Sequence, residues 1–170
     1  MANDFTTKFV QHIVDISSVP GVRSALKSGL GRTVKQADGM HKYVAPWTSP
    51  GRPHHEAVLY TVAALIAHRP TGAIPAQPIG NIGVSVARCA RIASGTRETT
   101  MHLLAKQPAA QLCRVVTRVV VQLRDKDTTV DFAQLIDDAS SWPSHHQRIS
   151  SRWLQSFYRT MTPQPYDATT

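Results

Sequence analysis

Cysteine is nearly absent from this 170-residue chain: Cys89 and Cys113 are the only two, and no Cys-x-x-Cys occurs. Two thiols cannot make a disulfide framework, so they read as free thiols in a reducing compartment. Long apolar runs are missing as well. The longest, over residues 57–67, is interrupted by Thr61 and falls far short of the ~20 residues that span a bilayer. Residues 1–9 carry Asp4 and have neither the charged n-region nor the apolar h-region of a secretory signal, so the expected setting is the cytoplasm. Acidic residues are scarce: 11 Asp and Glu stand against 19 Lys and Arg, a net charge of +8. That imbalance argues against an acidic partner-binding tail and for a polyanionic partner, nucleic acid or an anionic membrane surface.

Hydrophobic residues make up 42% of the chain, which excludes a wholly disordered polymer and, at this length, suffices for a core without metal or disulfide staples. The periodicity is helical. Phe5, Phe9, Ile13 and Ile16 recur at helix spacing behind Asn3 or Asp4 as N-cap, with Pro20-Gly21 expected to close the element. A short segment over 22–30 runs into Gly29 and Gly31, and another over about 36–44 is expected to stop before Pro46. Pro53 suits a first helical turn, so 54–69 reads as a buried helix stopped by Pro70. Residues 71–81 hold Gly72, Pro75, Pro78 and Gly80 and no charge. Helices are expected over 82–94, 96–107 and 108 to about 125. The last is rich in valine, which favours a strand, yet Leu112, Val115, Val116, Val119 and Leu123 keep the i, i+3, i+4, i+7 pattern. Asp131 caps a helix through Ser140, and Ser144 opens a final one ending near Met161. The fold class expected is all-α: two small helical lobes, 1–70 and 82–161, joined by a Gly/Pro-rich linker over 71–81, with 162–170 a frayed tail.

Catalytic patterns stop short. Residues 21–28 have the outline of a phosphate-cradling loop, but Leu26 replaces the glycine before Lys27 and no strand precedes them. Gly29 and Gly31 lack the third glycine of a dinucleotide loop. Ser85, with Gly83 and Ala87, is one glycine short of a nucleophile elbow. His54-His55 and His145-His146 are adjacent pairs whose members point about 100° apart and chelate one ion poorly. Surface positions at helix starts are the simpler reading, and Asp137-Asp138 meet the same geometric obstacle as a carboxylate pair. No nucleophile with its base can be named, and no metal, cofactor or enzymatic activity is expected.

The basic residues carry more information. Residues 86–124 hold Arg88, Arg91, Arg97, Lys106, Arg114, Arg118 and Arg124 against Glu98 alone, a local +6. Arg88 and Arg91 at i, i+3 and Arg114 and Arg118 at i, i+4 share helix faces. Arg148, Arg152 and Arg159 fall within roughly 40° of one another on a helical wheel, beside the apolar face of Ile149, Trp153 and Phe157. Arginine outnumbers lysine 13 to 6, and the guanidinium fork suits bidentate phosphate contact. Singly, each reads as a solvated surface charge. As a cluster nearly free of acidic neighbours, they point to polyanion binding. A membrane surface fits less well, since Lys-rich amphipathic helices with exposed Trp or Phe are not evident. Trp47, Trp142 and Trp153 are expected to pack rather than to stack on bases.

Three stretches recur in a familiar order. The first is Met40-His41-Lys42-Tyr43-Val44-Ala45-Pro46-Trp47, with Arg52 ahead of the long apolar helix. The second is Ile82-Gly83-Val84-Ser85-Val86-Ala87-Arg88, with Ser94-Gly95 and Glu98. The third is Val130-Asp131-Phe132 leading to Trp142, then Arg148 and Arg152-Trp153-Leu154-Gln155-Ser156-Phe157-Tyr158-Arg159. Over about residues 9–159 the chain thereby resembles the CasB family, the small subunit of the type I-E CRISPR Cascade complex. The resemblance implies an all-α protein of two helical lobes with no catalytic centre. It implies as partners other Cascade subunits, the CRISPR RNA, the target and non-target DNA strands and a second copy in a head-to-tail stack. Its nucleic-acid-binding residues would be Lys27, Arg52, Arg88, Lys106, Arg118, Arg148 and Arg152, which steady the heteroduplex and the displaced strand. Thr99 and Thr100 stand where relatives often carry an arginine pair, which thins the basic path. In RNA-guided recognition base pairing reads the sequence and protein supplies sequence-blind backbone contacts. The alternative is a free-standing helical DNA-binding regulator, which calls for a helix-turn-helix pair with a polar recognition helix, and none stands out.

Overall fold

In the computed structural model, residues 3–123 and 128–162 are described, and every regular element among them is helical. Asn3 opens α1 (Asp4–Ile16) by accepting the Phe5 amide at 3.1 Å, and Thr6, Phe9, Val10 and Ile13 form its buried stripe. Pro20 does not close this helix. The Ser17 and Ser18 hydroxyls do, donating to the Ile13 and Asp15 carbonyls at 2.6 and 2.7 Å. Pro20 instead begins α2 (Pro20–Lys27), where its missing N–H would have had no helical partner anyway.

The helix expected over 36–44 is broken into single turns: 3-10 segments Val34–Gln36 and Asp38–Met40, then α3 (His41–Val44), then a 3-10 segment Ala45–Trp47. Ala37, at φ −102° and ψ 46°, interrupts the ladder between the first two. Pro46 does not stop the path, because Ala45 takes helical dihedrals (φ −55°, ψ −36°) and a proline in a first turn forfeits no hydrogen bond. α4 (Pro53–His68) is apolar nearly all round because α1, α2, α7 and α8 pack against it.

Asn81 caps α5 (Ile82–Arg88), which is shorter than expected and ends where Cys89 turns to φ −72° and ψ 96°. α6 (Ser94–Ala105) and α7 (Ala109–Gln122) follow. The valine-rich α7 is a helix, with Leu112, Val116 and Val119 buried. An apolar face of that length, packed on α4, outweighs the β-branched preference for strand.

Asp131 Oδ1 accepts the Gln134 amide at 3.0 Å and starts α8 (Phe132–Met161), which bends at His145 (φ −135°, ψ 26°) just after Pro143. The two helices expected here therefore meet end to end. The bend is sharp. Asp138 and Arg152 are 14 positions apart, about 21 Å on a straight helix, yet they are bonded at 2.6 Å. The halves fold back on one another, and the buried Trp142 and Trp153 rings lie 4.8 Å apart between them. The first half reaches α1, where Asp137 accepts the Asn3 amide at 2.8 Å. The second half reaches α5 and α6 through Asn81–Ser156 and Glu98–Tyr158 hydrogen bonds. Buried side chains from Phe9 to Phe157 form one cluster. Arg124, the expected end of α7 near residue 125, and the tail beyond 162 lie outside the described residues.

Candidate nucleic-acid interface

A helix ends in carbonyls without helical donors, and arginines close several of these ends. Arg23 Nε donates to the Ala67 carbonyl at the end of α4 at 2.9 Å. Arg69 Nη1 donates to the Leu123 carbonyl after α7 at 2.9 Å. Arg97 Nη1 donates to the Ala87 carbonyl at the end of α5, and its Nε is buried. Arg97 belongs to the basic run 86–124, yet it faces inward. The surface charge of that run is smaller than its formal charge.

The bend of α8 gathers three of the candidates. Pro143 has no N–H, so the Ala139 carbonyl four residues back lacks a helical donor. His54 Nε2 donates to it at 2.7 Å, and His55 Nδ1 pairs with Ser140 Oγ at 2.9 Å. These bonds tie the start of α4, and with it the exposed Arg52, to the bend. On the other side Trp142 Nε1 donates to the Gln107 carbonyl at 2.9 Å, and His146 Nε2 to the Ala105 carbonyl at 2.8 Å. They tie down the end of α6, with exposed Lys106 between their two acceptors. Arg148 is exposed on the first turn beyond the bend. None of Arg52, Lys106 and Arg148 has an ion-pair partner among the described residues. The rings of His54, His55 and His146 fasten helices, and no group of three His, Cys, Asp or Glu suited to a metal occurs among the described residues.

The other candidates sit apart. Arg152 is half exposed and its Nη2 bonds the buried Asp138 at 2.6 Å, leaving further guanidinium N–H groups for another acceptor. Arg88 is exposed at the end of α5. Three residues on, Arg91 lines an open groove with Thr96 and Gln122, and exposed Arg118 precedes Gln122 by one turn of α7. Lys27 belongs to a different groove, with Ser17, Ser18, Arg23 and Ser24. Arg23 fixes that groove to the end of α4, a helix about 24 Å long whose opposite end carries Arg52. Sequence reasoning passed over Gln122, for which it offers no signal, and it named Arg91 only as one partner of Arg88. The role of Asp138 has no signature either, because its partners beyond the bend are 14 and 15 residues away.

Electrostatics at the bend follow from this layout. Burial holds the His55 imidazole below its usual pKa, and the charges of Arg52 and His54 lower it further. The near-miss catalytic patterns resolve into structure. Ser85 is buried and donates to the Thr129 carbonyl at 2.8 Å. Residues 21–28 lie largely in α2, where backbone amides close a helix ladder instead of ringing a phosphate. Burial raises the Cys113 thiol pKa, which disfavours the reactive thiolate. Trp142 and Trp153 pack inside, as expected, and Trp47 stacks edge-on against Phe5 and Phe9.

No helix among the described residues is long and apolar enough to cross a membrane. No curated protein sequence matches the chain. Among solved structures, a chain titled CRISPR RNA-guided surveillance complex superposes with a TM-score of 0.81 at 28% identity, over 92% of this chain and 93% of that one. CasB from Thermus thermophilus gives 0.76 at 20% identity, over 93% and 99% of the two chains. M. ruber CasB gives 0.77 at 17% identity, over 98% and 99%. The profile of CRISPR-associated protein Cse2 matches residues 22–158. With that match across most of its length, the chain belongs to the Cse2/CasB family, the non-catalytic small subunit of the type I-E Cascade surveillance complex.

Proposed function

We propose that this chain stabilises the R-loop of its surveillance complex by sequence-blind contact with phosphates. It would grip the heteroduplex of CRISPR RNA with target DNA and the displaced strand. The observation that carries this reading is the set of exposed cations Arg52, Lys106 and Arg148 around the α8 bend, none with an ion-pair partner among the described residues. Four hydrogen bonds made by their neighbours hold the backbone in place, so binding has only the side chains left to order. Arg88 and Arg118 would extend the path along the Arg91 groove, Lys27 would continue it past the end of α4, and Arg152 would offer its remaining donors. A second copy, stacked head to tail, would lengthen the track, with the lobes 1–70 and 82–161 each supplying part of it.

Charge reversal in the reconstituted complex tests this. Arg52→Glu and Arg148→Glu should weaken target binding equally for unrelated target sequences. Each should lower the slope of log affinity against log salt by about one. Target binding as tight as wild type, with unchanged slope, would refute the phosphate contacts.

A further inference from the structure

We propose that Asp138 is a positioning residue: its buried carboxylate pins the bend of α8 and so aims the exposed arginines of the second half. This rests on the phosphate-contact reading above. Asp138 lies seven residues before His145 and is only 2% exposed. Its carboxylate accepts hydrogen bonds from Trp153 Nε1 at 2.7 Å and Arg152 Nη2 at 2.6 Å, both beyond the bend. Gln134 Nε2, one turn back in the first half, donates at 3.0 Å. One carboxylate thus holds both arms of the elbow.

Packing on α1, α4, α5 and α6 places the two arms, and at the bend itself Asp138 links one arm directly to the other. Pro143 removes a rung of the ladder, and His145 leaves helical dihedrals, so backbone hydrogen bonding across these residues is weakened. The Trp142–Trp153 ring contact, at 4.8 Å, resists separation of the arms. Two charge-supported bonds to adjacent residues, Arg152 and Trp153, fix both the opening of the arms and the rotation of the second arm about its own axis. Arg148, Arg152 and Arg159 share one face of that arm, at intervals of four and seven residues. Holding Arg152 therefore sets the direction of Arg148 and Arg159 as well.

Counting charge and positioning charge predict opposite signs. Asp138→Asn removes a negative charge while nearly keeping shape, so a purely electrostatic contribution predicts tighter binding of target DNA. Positioning predicts weaker binding, by about three- to ten-fold, in line with coupling transmitted through a packed network. Arg152→Lys keeps the net charge but loses the guanidinium fork, and should weaken binding in the same range. Both variants are placed in the reconstituted complex, and subunit incorporation is measured beside target affinity. Weaker binding by complexes that contain the subunit in full is the expected result. Unchanged or tighter binding by either variant overturns the proposal. So does failure of both to incorporate, because the bend is then needed for assembly and not for aiming arginines. Arg148→Glu is run in parallel. If it also leaves affinity unchanged, the phosphate-contact reading has failed; if it alone weakens binding, only the role of Asp138 has.

Discussion

Gly83 sits where α5 meets the second half of α8, and replacing it with alanine should be costly. A Cβ at this position would strike the backbone carbonyl oxygen of Trp153, and would lie 3.1 Å from that residue's carbonyl carbon and 3.0 Å from Asn81 Oδ1. Trp153 opposes it with backbone atoms, which cannot rotate away. α5 and α8 must therefore separate by roughly an ångström, a form of overpacking that costs about 1–3 kcal/mol. The upper end applies because the obstacle is main chain. Separation also strains Asn81, whose Oδ1 accepts the Gly83 amide at 3.0 Å and whose Nδ2 donates to Ser156 Oγ at 2.9 Å. Loss of one such bond, about 1 kcal/mol, is roughly offset by the better helix propensity of alanine. The net expectation is about 3 kcal/mol, or a melting temperature lower by roughly 6–12 °C for a chain of this size. Far-UV circular dichroism during heating measures it. Gly95→Ala is the control, since a Cβ there meets nothing within 4 Å; it should raise the melting temperature slightly. A Gly83→Ala protein melting within about 2 °C of wild type would show that α5 and α8 are not in backbone contact.

Acid should loosen the junction of α4 with α8. The folded His55 pKa lies below the ordinary imidazole value of about 6.5, so as pH falls through that value the unfolded chain takes up a proton that the folded chain resists. Stability fully present above that pH is then lost down to the lowered folded value. Urea midpoints across about pH 5 to 8 should show this slope, and His55→Asn should flatten it. Arg97→Met should lower the melting temperature, because the Ala87 carbonyl loses its donor, while leaving the salt dependence of target binding unchanged. Asp131→Ala removes the cap of α8 and should cost about 1 kcal/mol in denaturant unfolding.

Helices bounded by strong chemistry were legible in the sequence. Pro53 and Asp131 act within three residues of themselves and mark their helix starts, and of the two caps offered for the first helix, Asn3 and Asp4, Asn3 is the one used. Pro20 and Pro46 misled because a proline signals a first turn as readily as a stop, and only the neighbouring hydroxyls and dihedrals decide which. The Gly-x-Ser-x-x-Arg pattern of residues 83–88 lies in one of the three stretches behind the resemblance, and its physical content became visible only in three dimensions. Gly83 permits a close approach, Ser85 fastens the Thr129 carbonyl, and Arg88 is exposed. The elbow of α8 was half legible. Pro143 announces an interruption, but nothing local announces its angle, which is set across 14 and 15 residues by Asp138.

The scarcity of acidic residues shapes both the packing and the surface. A helical protein must satisfy its free carbonyls and fix its helix junctions, and ion pairs are one common means. Here the described residues contain few: Lys8–Asp4 and His41–Asp38 on the surface, and Arg152–Asp138 at the bend. Several long-range fastenings instead run from neutral or cationic donors to backbone carbonyls: Arg23 on Ala67, Arg69 on Leu123, His54 on Ala139, His146 on Ala105, Trp142 on Gln107. Such bonds hold helices together without placing a carboxylate beside a surface arginine. The consequence is a fold that is tied internally yet leaves Arg52, Lys106 and Arg148 without ion-pair partners among the described residues, which is the electrostatic condition for counterion release on a phosphate backbone. The same accounting explains why formal charge overstates the interface. An arginine on a helix-end carbonyl is already desolvated on one side and bonded, so it belongs to the core's hydrogen bonding and not to the track of phosphates.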